Sequence, residues 1–141
     1  MCVKKDSKKA VQLYEKAANN GYSLAMHNLG LLYEDGNGVD KDYQKAFKLF
    51  KKSAEGKFSG GIMMLGYCYD FGIGTNIDKQ KAAELYKNAS NLGNRIAQYN
   101  LALMYENGEG ITKDINQTIY WYTKSAKQGN QSAQNRLLFL I

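Results

Sequence analysis

Proline is absent from this chain of 141 residues, histidine and tryptophan occur once each, and cysteine and arginine twice each. Each scarcity removes a class of chemistry. A single histidine, His27, leaves no imidazole pair for a metal and no base with an orienting partner, and the positions at multiples of 36 residues from it hold Met63, Tyr99 and Asn135. Serine, cysteine and carboxylate candidates have no base and orienting group that spacing reveals, so the chain reads as non-catalytic, without metal or cofactor. Cys2 and Cys68 make neither a CxxC pair nor a zinc spacing, which points to a reducing compartment. No apolar run approaches the roughly 18 residues of a membrane-spanning helix. The start, MCVKKDSKK, has no apolar core of a secretory leader. The expectation is a cytoplasmic chain without membrane contact.

The net charge of +6 comes from lysine, since Arg95 and Arg136 are the two arginines. Base recognition relies on arginine forks and stacking aromatics, whereas lysines spread through segments such as KAFKLFKKS make a solvated face or a diffuse attraction to acidic partners. A nucleic-acid ligand is therefore not expected.

What the chain does have is glycine at fixed intervals. YEDGNGVDKDYQKA, Tyr33 to Ala46, returns as YDFGIGTNIDKQKA, Tyr69 to Ala82, and as YENGEGITKDINQT, Tyr105 to Thr118. A phosphate cradle needs one glycine-rich turn after a buried strand, opening onto a helix N-terminus. Three copies without a preceding strand read instead as a repeated turn. A calcium loop also fails, because Asp35, Asn37 and Asp40 are followed by neither the glycine at position six nor the glutamate at twelve.

The register divides each 36-residue unit into two helices. Asp6, Asp42, Asp78 and Asp114 each precede an apolar-periodic segment, where aspartate serves as N-cap or first-turn residue. In that B helix, Ala10, Ala46, Ala82 and Thr118, then Tyr14, Phe50, Tyr86 and Tyr122, then Ala18, Ala54, Ser90 and Ala126 share one face. An A helix precedes each glycine turn, with Ala25, Leu29 and Tyr33, then Gly61, Leu65 and Tyr69, then Ala97, Leu101 and Tyr105 on its core side. Gly30, Gly66 and Ala102 beside the leucines predict close helix contact, since mid-helix glycine costs roughly 1 kcal/mol against alanine. The B helices end at Gly21, Gly93 and Gly129. Lys57 stands at the aligned position in the second copy with Gly56 before it, so a shifted turn is expected between Ala54 and Gly61.

The alternation of A-x-x-x-L-G-x-x-Y, G-x-G-V and D-x-x-K-A resembles the Sel1-like repeat, a relative of the tetratricopeptide repeat. Departures are Ala102 for glycine, Thr75 and Ile111 for the loop valine, Ile77 for the lysine before the aspartate, and Thr118 for alanine. The resemblance implies an all-α, right-handed superhelical solenoid of eight helices in a single domain, 1–141. Its parts are a half repeat 1–23, repeats 24–59, 60–95 and 96–131, and a half repeat 132–141. The cysteine pair that bridges each repeat in some bacterial members is not present. The resemblance also implies a non-catalytic scaffold or adaptor for a protein or peptide partner. Other roles attributed to relatives are substrate positioning beside a protein-kinase domain and hydrolysis of a β-lactam-like ligand; no nucleophile here supports the latter.

In superhelical repeat proteins the A helices line the concave side. The face of helix A away from its core stripe is apolar in this chain: His27, Leu31, Met63, Met64, Tyr67, Ile96, Tyr99 and Leu103 lie on or near it. Two readings stand. These residues form a groove for a peptide or partner helix, or they pack between repeats. Val3 aligns with the loop valine Val39, so the chain opens on a B helix, and Ala133, Leu137 and Phe139 start a fourth A helix. Both ends look too apolar for caps, which suggests a longer parent chain or self-association through the terminal helices.

Overall fold

The computed structural model describes residues 2–141, with side chains from Asp6 onward. Among the described residues the secondary structure is helical throughout, in eight helices: α1 (Cys2–Asn19), α2 (Ser23–Asp35), α3 (Tyr43–Glu55), α4 (Ser59–Phe71), α5 (Lys79–Asn91), α6 (Arg95–Asn107), α7 (Ile115–Lys127) and α8 (Gln131–Leu140). Helices α2, α4, α6 and α8 are the A type and α1, α3, α5 and α7 the B type. Starts within each type from α2 onward recur every 36 residues. The helices pack chiefly against their sequence neighbours, with α2 also touching α4. That pattern is a solenoid, in which each repeat buries its apolar faces against the next.

The two glycines of each loop perform different tasks. Gly36, Gly72 and Gly108 adopt left-handed φ of 72°, 72° and 69° and end the A helices, each N–H returning to the carbonyl four residues earlier. Gly38, Gly74 and Gly110, at φ of 75°, 70° and 70°, lie against the backbone of Ser7, Tyr43 and Lys79, in the first part of the preceding B helix. A Cβ there would collide with that backbone. The loop closes when the N–H of Asp42, Asp78 and Asp114 donates to the carbonyl of Tyr33, Tyr69 and Tyr105. Each aspartate then caps the next helix, accepting from Lys45 N–H at 3.0 Å, Lys81 N–H at 3.1 Å and Asn116 N–H at 2.9 Å. The glycine motif is a turn and an inter-repeat contact.

Two expectations are corrected. The turn after α3 is not shifted: Lys57 itself takes the left-handed conformation, φ 61°, where Gly21, Gly93 and Gly129 stand at 87°, 91° and 87°. The packing of α4 at its repeat position outweighs the roughly 1–2 kcal/mol that an L side chain costs in this region. At the other end, α1 starts at Cys2, so Asp6 lies a turn inside it and Val3 is helical rather than in a loop. No glycine in MCVKK interrupts the helix.

The core follows the register. Ala46, Ala82, Thr118, Phe50, Tyr86, Tyr122 and Leu101 are fully buried, with Leu29 and Leu65 close to that. A Cβ on Gly30 would lie 2.6 Å from the Phe50 ring and one on Gly66 2.9 Å from Tyr86, so the small residues admit the aromatic rings. In α1, by contrast, Ala10, Tyr14 and Ala18 are only half-buried.

Candidate functional site

Opposite the buried stripe of each A helix, one position carries an apolar residue in every copy: Leu31, Tyr67, Leu103 and Phe139. Leu31, Tyr67 and Leu103 are half-buried, each packed on the core at its base, and Phe139 is 82% exposed. Phe71, one turn after Tyr67, packs against it with the rings tilted at 47° and centroids 4.7 Å apart, and is 57% exposed. A cleft of about 130 Å³, bordered in part by Phe71, Asn100, Leu103 and Asn107, separates α4 from α6. Ile96 is exposed as well.

Of the remaining candidates, His27 and Tyr99 are half-buried like Leu31, Tyr67 and Leu103, and the two methionines sit deeper. Met63 and Met64 are buried, at 6% and 8% exposure, because α4 is flanked by α2, α3 and α5. Tyr99 packs on Tyr122 with centroids 5.6 Å apart. His27 is wedged against Phe58 and Phe50, at 5.4 and 6.0 Å, and its Nδ1 is buried without a partner. Burial lowers its pKa, which keeps the ring neutral at pH 7. Of the eight candidates, Ile96 is exposed, His27, Leu31, Tyr67, Tyr99 and Leu103 are half-buried, and Met63 and Met64 are buried.

An acidic residue follows this row by three positions in three copies: Glu34, Asp70 and Glu106. Asp70 accepts from Lys79 Nζ at 2.6 Å and from the Tyr86 hydroxyl at 3.1 Å. Glu106 accepts from the Tyr122 hydroxyl at 2.6 Å and from the Arg136 guanidinium. Burial alone would raise the Glu106 pKa, but the two hydrogen bonds and the Arg136 charge outweigh it and hold the carboxyl below its ordinary range. Around Glu34 all three partner positions have changed. Phe50 stands where Tyr86 and Tyr122 stand, Tyr43 where Lys79 stands, and Met64 where Arg136 stands. Glu34 makes no hydrogen bond or ion pair among the described residues. Its pKa is raised, first by burial, then by Asp35, with Lys41 opposing. Its charge reaches α4, where it adds to the effect of burial in raising the pKa of Tyr67 and of Cys68.

Charge is also divided between helix types. The B helices carry fourteen lysines against four acids, and the A helices two arginines against four acids. Two lysines lie over tyrosine rings of the adjacent A helix in matching positions, Lys45 on Tyr33 at 4.5 Å and Lys81 on Tyr69 at 5.2 Å.

No cluster of three or more His, Cys, Asp or Glu side chains suited to a metal occurs among the described residues. Cys68 is buried and its thiol is pushed up to about 12, first by burial and then by Glu34, which leaves it protonated and unreactive at neutral pH. No helix of the described residues is long and apolar enough to cross a membrane. Reading by sequence does not single out Phe71 or Phe139, and it takes Glu34, Asp70 and Glu106 for solvated helix ends, which their half-burial corrects. The first two were accessible by counting four residues from Tyr67 and 36 from Leu103. Glu34 needed its partners in the other copies for comparison.

The comparisons with known proteins agree with the geometry. The Sel1 repeat family matches residues 1–22, 23–58, 60–94 and 95–130. Among solved structures, the chain is similar to a Sel1 repeat protein from Oxalobacter formigenes, with 37% identity and a TM-score of 0.84 over 92% of this chain and 53% of that one. It is also similar to c5321, a protective antigen of uropathogenic Escherichia coli displaying the same kind of fold, with 30% identity and a TM-score of 0.54 over 94% of this chain and 36% of that one. Cysteine-rich protein B of Helicobacter pylori aligns at 28% identity and a TM-score of 0.72, covering 94% and 96% of the two chains. The chain therefore spans about half the length of the first relative and about a third of the second. No curated protein matches it. With four tandem matches and helices recurring at the same interval, the chain belongs to the Sel1 repeat family.

Proposed function

We propose that this chain is a non-catalytic scaffold that binds a peptide or a helix of a partner protein on the exposed face of its A helices. Proteins built from Sel1 repeats are generally protein-interaction scaffolds. The observation that carries the reading is the row Leu31, Tyr67, Leu103 and Phe139, extended by Phe71 and Ile96. It places apolar side chains at one position in successive repeats where a face meeting water alone calls for polar ones. Rigid, closely packed repeats hold such a row in place without ordering cost on binding.

The test is affinity capture with the intact chain and a Leu31→Glu, Tyr67→Glu double variant whose helical circular dichroism matches the parent. Partners retained by the first and lost by the second support the face as the binding surface. An identical set captured by both places binding elsewhere and refutes the assignment.

A further inference from the structure

We propose that the segment this face receives is cationic and apolar together, with an arginine or lysine seated on the Glu34 carboxylate and aliphatic or aromatic neighbours on Leu31, Tyr67 and Phe71. The inference rests on the reading of the A-helix face as the binding surface and adds the chemistry of what binds there.

Three observations converge on this occupant. Glu34 occupies the place at which Asp70 and Glu106 each hold a cation and a tyrosine hydroxyl, yet Phe50, Tyr43 and Met64 supply neither to it. Lys41 acts on Glu34 through space but forms no ion pair with it, and a half-buried carboxylate outside any ion pair carries a desolvation cost that a bound cation offsets. Beside it the surface is apolar. Leu31 lies three residues earlier on the same helix face, and the tilted Tyr67–Phe71 pair sits on α4, where the Glu34 charge is felt by Tyr67. The Tyr67 ring of this pair also suits the flat guanidinium group, the Phe71 ring already lying under Lys79 Nζ at 5.5 Å. Finally, the uneven division of charge steers such a segment. A cationic peptide is repelled by the lysine-bearing B helices and drawn to the A helices, where acids outnumber arginines.

The experiment selects short random peptides displayed on phage against the intact chain and measures the affinity of the enriched sequences, made as fluorescein-labelled peptides, by anisotropy. Glu34→Gln keeps the side-chain size and removes the charge; its folding is verified by thermal melting. Enriched peptides should pair arginine or lysine with aromatic or aliphatic residues and bind Glu34→Gln about tenfold more weakly or worse. Lys52→Gln, on a B helix, should change affinity by less than about twofold. Acidic enriched peptides would overturn the inference. So would basic ones that are lost on Tyr67→Glu but indifferent to Glu34→Gln; in that case the face is still the binding surface and only its chemistry is wrong. Peptides indifferent to Glu34→Gln, Leu31→Glu and Tyr67→Glu alike, or no enrichment, would overturn both readings.

Discussion

The first and third A–B pairs, α2–α3 and α6–α7, share their backbone, their capping aspartate and their buried leucine, and differ in how they treat one acidic side chain. Glu106 is held by Tyr122 and Arg136, while Glu34 has Phe50 and Met64 at the corresponding repeat positions and no such bond among the described residues. Because the architecture is repeated, the comparison holds nearly everything else constant. The third pair spends its carboxylate on internal stability. The first leaves the same group without a partner, against the general rule that half-buried charge is compensated. A tandem array makes that departure visible in a single chain.

The strongest challenge to the comparison is to show that the two pairs are not equivalent at their cores. Leu29→Ala and Leu101→Ala should each lower stability by about 2–5 kcal/mol in urea unfolding, since both leucines are almost wholly buried. A large difference between them would undo the premise. Next in size, Tyr122→Phe should cost about 1.5–3 kcal/mol, because it strips a hydroxyl from a carboxylate. No loss would mean that Arg136 alone suffices for Glu106. Lys57→Gly should gain about 1–2 kcal/mol by relieving the left-handed lysine, and a neutral or negative result would contradict the φ seen there. The converse swap, Phe50→Tyr, should add about 0.5–1.5 kcal/mol by giving Glu34 the hydroxyl that its counterparts use. A loss instead would show that Phe50 is packed too tightly to carry the oxygen.

The smallest effect is in pH dependence, and its sign differs between the two acids. Glu106 has a folded pKa below the ordinary value near 4.5, so its stabilisation is full above that value and is lost as the pH falls through the folded pKa. Glu34 has a folded pKa above 4.5, so its ionisation penalises the fold above that raised value and the penalty is relieved on acidification toward 4.5. Melting of the parent and Glu34→Gln between pH 4 and 7 should therefore converge at the acid end and separate at the neutral end. Parallel curves would place Glu34 in ordinary solvent.

Much of the fold was legible because its signals are local and repeated three times. An aspartate caps α3, α5 and α7, glycines with left-handed φ end α2, α4 and α6, and apolar residues at four-residue spacing mark the buried face. Lys57 was misread because a lone lysine gives no sign of the left-handed backbone that neighbouring packing imposes on it. The site was less legible. Periodicity marks Leu31, Tyr67 and Leu103 of the proposed face, but Met63 and Met64 look the same in sequence and are buried in the core.

The sequence by itself determined the period, the helix types and their boundaries to within a residue or two from α2 onward, because backbone capping and helical periodicity act over a few residues. Tertiary structure decided which apolar side chains are enclosed and which stay open, and which carboxylates acquire partners. Those outcomes depend on residues some 16 to 30 positions apart, such as Tyr122 and Arg136 at Glu106, whose meeting is set by how one repeat stacks on the next.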